Sequence, residues 1–239
     1  MSWISHDIEP YPILRHTRWK VAFVPLLLGS YAPDLLTKWF VYGVHLGSLH
    51  LKANDPATFQ RGWPGVGFTH SLAFGVFMCF VFWKLLGSKN WGIGFLIGQW
   101  AHAITDCGDT VGTMLLFPWT QHFHLGMWAY SAHLGRAIDA AAYFSGPGCM
   151  WDAFWIAYGL FSWQVLARAH FERHVFPADA LWSKLNRLLP VSALVVLYRA
   201  AFFYGVSRWV AWTIWVHIVH HYPYDLTWGG PHWLPQTDR

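Results

Sequence analysis

Residues 91–109 read WGIGFLIGQWAHAITDCGD. The stretch opens as an apolar run, and its second half carries Gln99, His102, Asp106 and Asp109. His102 and Asp106 are four residues apart, so on a helix they share one face. Gln99 and Asp109 extend that stripe by three residues in each direction. A helix that is apolar around most of its girdle and polar along one stripe suits a bilayer, with the stripe turned toward protein. Two span-like segments that precede this one carry similar groups. Asp34 lies in GSYAPDLL (residues 29–36), and His70 lies in GFTHSLAFGV (residues 67–76).

Composition agrees with a membrane protein. Of 239 residues, 55% are hydrophobic and 19% aromatic, while 12% are charged; soluble domains carry about 25% charged residues. The 18 Trp suit the layer where lipid meets water. Mean hydropathy is only +0.27, so loops and interfacial segments take up much of the length. The net charge of +4 is too diffuse for a nucleic-acid surface and fits contact with anionic headgroups. Cys79, Cys107 and Cys149 form no CxxC pair. Packing explains Cys79 and Cys107 most simply, although Cys107 adjoins the polar stripe.

The expected fold is all-α: a polytopic transmembrane bundle of about five spans plus an interfacial or re-entrant helix. After a basic leader, retained rather than cleaved, span 1 runs from about residue 21 to the low forties. Residues 45–67 read as a loop. Span 2 covers about 68–86, GSKN (87–90) is a tight turn, and span 3 covers about 91–106. Gly and Pro break residues 107–123, and HLGMWAYSAHLGRAIDAAAYF (124–144) reads as the interfacial helix. Span 4 covers about 149–167. Residues 188–221 form a long last span, and the tail WGGPHWLPQTDR reads as aqueous. With the N-terminus cytoplasmic, the leader cations Arg15, Arg18 and Lys20 and the 168–187 cluster all fall inside, as the positive-inside tendency requires. A full crossing at 124–146 would break that pattern.

This topology carries a consequence. Asp34 falls late in an outward span, His70 early in an inward one, and His102 and Asp106 late in an outward one. All four sit at the same end of neighbouring helices. Two imidazoles and two carboxylates are a donor set for a divalent metal, zinc first. Each group also has a plainer reading: Asp34 as a helix-restart cap, His70 as a hydrogen-bonded interior histidine, and His102 with Asp106 as a simple pair. Asp109 is the leading candidate for general base. His122 and His124 could face water or reach the same site, and His217, His220 and His221 fall at the headgroup end of the last span.

At these residues the chain resembles the YdjM-like inner-membrane proteins of bacteria, a family expected to be metal-dependent hydrolases. The shared pattern is Pro33-Asp34, then Gly67-Phe68-Thr69-His70-Ser71, then Gly98 through His102 to Asp106, and a Gly112 turn into Leu115-Leu116-Phe117-Pro118. It covers about residues 20–120 and makes 1–147 the metal-site core, with 148–239 as additional helices and tail. The resemblance implies an N-terminal histidine at the site, for which His6 or His16 could serve. Two family features are absent. The Pro-Asp pair is followed by Leu35, Leu36 and Thr37 rather than a second acid and a histidine. Gly65 and Val66 stand where a histidine often precedes the Gly-Phe-Thr-His element.

Three functions are compatible with these features. One is a metal-dependent hydrolase working on a lipid-like ester or phosphoester in the membrane. Another is a non-catalytic accessory subunit packed on other membrane subunits, its His/Asp cluster structural. The weakest is haem or pigment ligation, for which no CxxCH is present.

Overall fold

The computed structural model describes residues 6, 21–51, 67–119, 121–129, 131, 134, 136–161, 167–170, 187–224 and 232–234. The chain is mostly helical. α1 spans Phe23–Tyr42 and leads into a hairpin of β1 (Val44–Leu46) and β2 (Leu49–Leu51). A 3-10 turn, Phe68–His70, precedes α2 (Leu72–Leu85), and α3 spans Lys89–Thr105. A second 3-10 turn, Asp106–Gly108, leads to β3 (His122–His124). α4 (Arg136–Ser145) and α5 (Pro147–Phe161) follow. α6 (Val191–Ile214) runs on into a π-helical stretch, Trp215–Val219, and β4 (His232–Leu234) pairs antiparallel with β3.

α1 and α3 lie parallel and in backbone contact. Gly98 of α3 faces Leu26 and Ser30, Gly94 faces Ala22 and Pro25, and Gly29 of α1 faces Phe95 and Gln99. A Cβ on any of the three would overlap the partner helix. Small residues four apart let two helix backbones approach this closely where lipid offers no hydrophobic drive between helices. α2 runs antiparallel along α3: Gly75 sits over Gln99 and Trp100, and Gly92 over Cys79 near the other end. Pro33 lies inside α1 without breaking it. Its missing N–H leaves the Gly29 carbonyl without its usual helical donor.

The second layer is apolar. Ile156 of α5 and Val195, Tyr198 and Phe202 of α6 pack on Phe23 and Leu26 of α1. Trp128, Phe144 and Cys149 pack around Val216 at the far end of α6. The three-helix core is polar inside and apolar outside. Ser30, Asp34, Thr69, His70, Gln99, His102 and Asp106 are buried, whereas Val76, Phe77, Phe80 and Trp83 of α2 are exposed. Polar groups turned toward protein with apolar side chains outward suit a hydrocarbon surround.

Five spans were expected. Among the described residues, one helix, Val191–Val219, is both long and apolar enough to cross a membrane. α2 is apolar but has only 14 residues, and α1, although 20 residues long, carries Asp34 and Lys38. α4, at 10 residues, is about 15 Å long and too short to cross. One expectation is corrected. Residues 45–51, read as loop, belong to a hairpin, closed by Gly47 with φ 62 in a two-residue turn. In the tail, His232–Leu234 form a ladder with β3.

Candidate metal centre

Each residue of the GFTHS element has a physical role. Gly67 adopts φ 81, where a side chain would be strained and a Cβ would meet Met114. Phe68 packs edge-on against Phe74 and Phe117. Thr69 Oγ1 lies 3.3 Å from His70 Nδ1. Ser71 caps α2, accepting from Phe74 N at 3.2 Å. Gln99 Nε2 donates to the Thr69 and Ser71 carbonyls, each at 3.0 Å. Those two bonds, one from each amide hydrogen, fix the His70 segment on α3.

His102 is fixed from α1. Its Nδ1 lies 2.6 Å from the Ser30 carbonyl oxygen. A carbonyl only accepts, so Nδ1 carries the proton and Nε2 presents a lone pair. That lone pair faces oxygen: Asp106 Oδ2 at 3.4 Å and Asp34 Oδ1 at 3.8 Å. His70 Nε2 faces the same two atoms, at 3.5 and 3.9 Å. Donor atoms of Asp34, His70, His102 and Asp106 all lie within 4.8 Å of one another, and all four residues are buried. Asp34 Oδ1 and His102 Nε2 make no hydrogen bond.

The His102 lone pair, aimed at carboxylate oxygens, is repelled unless a positive charge lies between them. These separations exceed the usual N–H···O range of about 2.7–3.2 Å. Tetrahedral donors about 2.0–2.1 Å from a zinc ion would stand about 3.3 Å from one another. The Asp106 contacts fit that spacing closely, and those of Asp34 are looser. The residues therefore fit a divalent cation of mixed nitrogen and oxygen preference.

Two further groups attach to the set. His6, 1% exposed, stacks on His102 with ring centroids 4.0 Å apart, and its Nε2 lies 3.5 Å from Asp106 Oδ1. Ser30 Oγ donates to the His6 carbonyl. Of the two candidate N-terminal histidines, His6 is thus at the site, and His16 lies outside the described residues. Lys38, one turn beyond Asp34, pairs with Asp34 Oδ2. Sequence reasoning passed over Lys38, although its i+4 spacing from Asp34 was the available signal.

Asp109 lies outside the four-residue group. Its Oδ1 accepts from Val111 N at 2.9 Å and Gly112 N at 2.8 Å, closing the turn after α3. Cys107 Sγ lies 3.0 Å from Thr113 Oγ1 and 3.4 Å from the Ala103 carbonyl, a packed thiol. His122 and His124 are buried on β3, beside the same turn. His217, expected among headgroups, reaches the Phe144 carbonyl at 3.0 Å.

No curated protein and no solved structure matches the chain. A family model described as YdjM inner membrane protein matches residues 9–171, a longer stretch than the motifs alone cover. It takes in α1 through α5 and every residue of the metal-centre group. The chain belongs to the YdjM inner membrane protein family.

Proposed function

We propose that the protein is a membrane-embedded, metal-dependent hydrolase of lipid-like esters or phosphoesters. The observation that carries this is the pair of imidazole Nε2 atoms turned, deep inside the protein, toward the oxygens of two carboxylates. A divalent cation held there supplies Lewis acidity, lowering the pKa of water toward about 7 and polarising a scissile oxygen.

The residues divide into holders and workers. His70, His102 and Asp106 have the tighter mutual spacing, 3.4 and 3.5 Å through Asp106 Oδ2. Two histidines and a carboxylate that leave a fourth position free are a catalytic arrangement, whereas four closed ligands are structural. Asp34 stands farther off, at 3.8 and 3.9 Å, with its other oxygen on Lys38. Asp34 would therefore serve as general base, its Oδ1 facing the two imidazole Nε2 atoms and its carboxylate oriented by Lys38. Asp109, the base candidate from sequence, holds the turn beyond α3. His6 steadies the far oxygen of Asp106.

In the topology we favour, α1, α2, α3, α5 and α6 cross the membrane, α4 lies at its surface and the N-terminus is cytoplasmic. The site then lies toward the outer leaflet, where membrane lipid supplies the substrate class. Hydrolysis of lipid-like phosphoesters and acyl esters by the purified protein in mixed micelles tests this. Activity is expected to vanish with chelator and with His102→Ala; activity indifferent to both would end the proposal. A stable assembly with other membrane subunits, found by native mass measurement alongside no turnover, would favour the accessory-subunit reading.

A further inference from the structure

We infer that the β1–β2 hairpin carries a second metal site, an exposed pair of imidazoles from His45 and His50 that takes a borderline divalent transition ion, Cu²⁺ first. The two residues stand directly opposite each other in the antiparallel register, between Val44–Leu51 and Leu46–Leu49. Leu46 and Leu49 flank a two-residue loop, and the pair closing such a loop is the hydrogen-bonded one. His45 and His50 therefore occupy the next, non-hydrogen-bonded position, where opposite side chains come closest. Their rings are nearly parallel, 4° apart, with centroids 4.2 Å from each other.

Several features hold the pair in place. Gly47, with φ 62, gives the tight turn a backbone that fits the strand twist. Gly43, with φ 80, leaves room for the His50 ring: a Cβ there would stand 2.7 Å from His50 Nε2. Both rings are exposed, as are Leu46, Leu49 and Leu51 around them, so a buried core does not account for their stacking. Two imidazole nitrogens at adjacent corners of a square-planar copper ion, each about 2.0 Å from it, stand about 2.8 Å apart. Parallel rings aim their in-plane lone pairs along parallel lines, so both side chains turn out of the stack to share an ion; their exposure permits this, and water completes the shell. Imidazole affinity for divalent ions peaks at copper in the first row.

The pair is separate from the buried centre. Asp34 lies eight residues before the end of α1, so the hairpin starts roughly 12 Å further along the helix axis. The site stands whether or not the buried group is catalytic.

The test uses the full chain, purified without a polyhistidine tag and saturated with Zn²⁺, then titrated with Cu²⁺ and followed by electron paramagnetic resonance. The wild type is expected to bind a copper ion with a two-nitrogen signature. His45→Ala/His50→Ala should lose that signature and bind copper about tenfold or more weakly, with zinc content unchanged. His102→Ala should lose buried zinc yet keep the copper signature, which separates this site from the other. The inference is overturned if the double variant binds copper like the wild type. It is also overturned if the double variant loses buried zinc, since the hairpin would then serve the fold rather than an ion of its own.

Discussion

Gly98→Ala adds a single methyl group and should disable the metal centre without touching a ligand. The Cβ would overlap the Leu26 carbonyl oxygen and stand 2.9 Å from Ser30 N, both backbone atoms of α1. Ordinary carbon–oxygen contact is about 3.5 Å, so the two helices must part by roughly 1 Å or more. Neither atom sits on a flexible side chain that could turn aside. Overpacking of this kind costs about 1–3 kcal/mol of stability. The same displacement stretches the 2.6 Å bond from His102 Nδ1 to the Ser30 carbonyl and carries Asp34 away from His102. Metal sites tolerate only about 0.2 Å in ligand distance, and disturbing the groups that orient the ligands costs about 10–100-fold in affinity. Gly94→Ala is the internal control. Its Cβ would meet the Ala22 carbonyl at 2.7 Å and Pro25 at 3.0 Å, but about two helical turns from His102. Gly94→Ala should cost similar stability and change metal affinity less than about threefold. Zinc affinity by chelator competition in detergent, beside thermal melts with and without zinc, measures both quantities. Wild-type zinc affinity in Gly98→Ala would refute the idea that close α1–α3 contact positions the donors.

Four further outcomes follow from the site. Lys38→Met should retain zinc but lower turnover about 10–100-fold, because Asp34 loses the partner that orients it; zinc content and initial rates separate the two effects. Asp109→Asn should leave zinc stoichiometry intact and cost about 1–2 kcal/mol in a melt, through weaker bonds to Val111 N and Gly112 N. Ser71→Ala should cost about 1 kcal/mol for the lost cap and also weaken zinc binding, since His70 precedes that cap directly. Stripping the metal should lower apparent stability by about 2.7 kcal/mol relative to zinc at a hundred times its Kd, seen as a concentration-dependent melting shift.

Much of the centre was legible before the structure. His102 and Asp106 share a face because helical spacing is fixed, and position along three helices of alternating direction placed Asp34 and His70 beside them. The family pattern marked the GFTHS element, while the cap that Ser71 supplies to the helix after it is seen only in the structure. Other parts were less accessible. His6 lies in a leader with Pro10 and Pro12, and no periodicity there says which way a side chain points; only the Ser30 and His102 contacts single it out over His16. The hairpin left a signal, VHL and LHL around Gly47-Ser48, that a loop assignment ignored. The β3–β4 pairing joins residues more than a hundred apart, and three-residue strands carry too little pattern to find each other in sequence. Among the described residues, length and hydropathy single out only Val191–Val219, because the helices that build the site are short, or polar where they face it. Asp109 looked like a base because it continues the stripe, but the helix ends at Thr105 and the next turn redirects its carboxylate to backbone N–H groups.

The central claim is that His70, His102 and Asp106 hold a cation, with Asp34 beside it as general base. Metal analysis of the purified protein, coupled to X-ray absorption at the metal edge, tests it most directly. The account predicts zinc in a mixed nitrogen–oxygen shell at about 2.0–2.2 Å, with two imidazoles, and its loss in His70→Ala and His102→Ala variants that remain folded. A wild-type protein that binds no divalent metal, or one whose bound metal survives both substitutions, would contradict it.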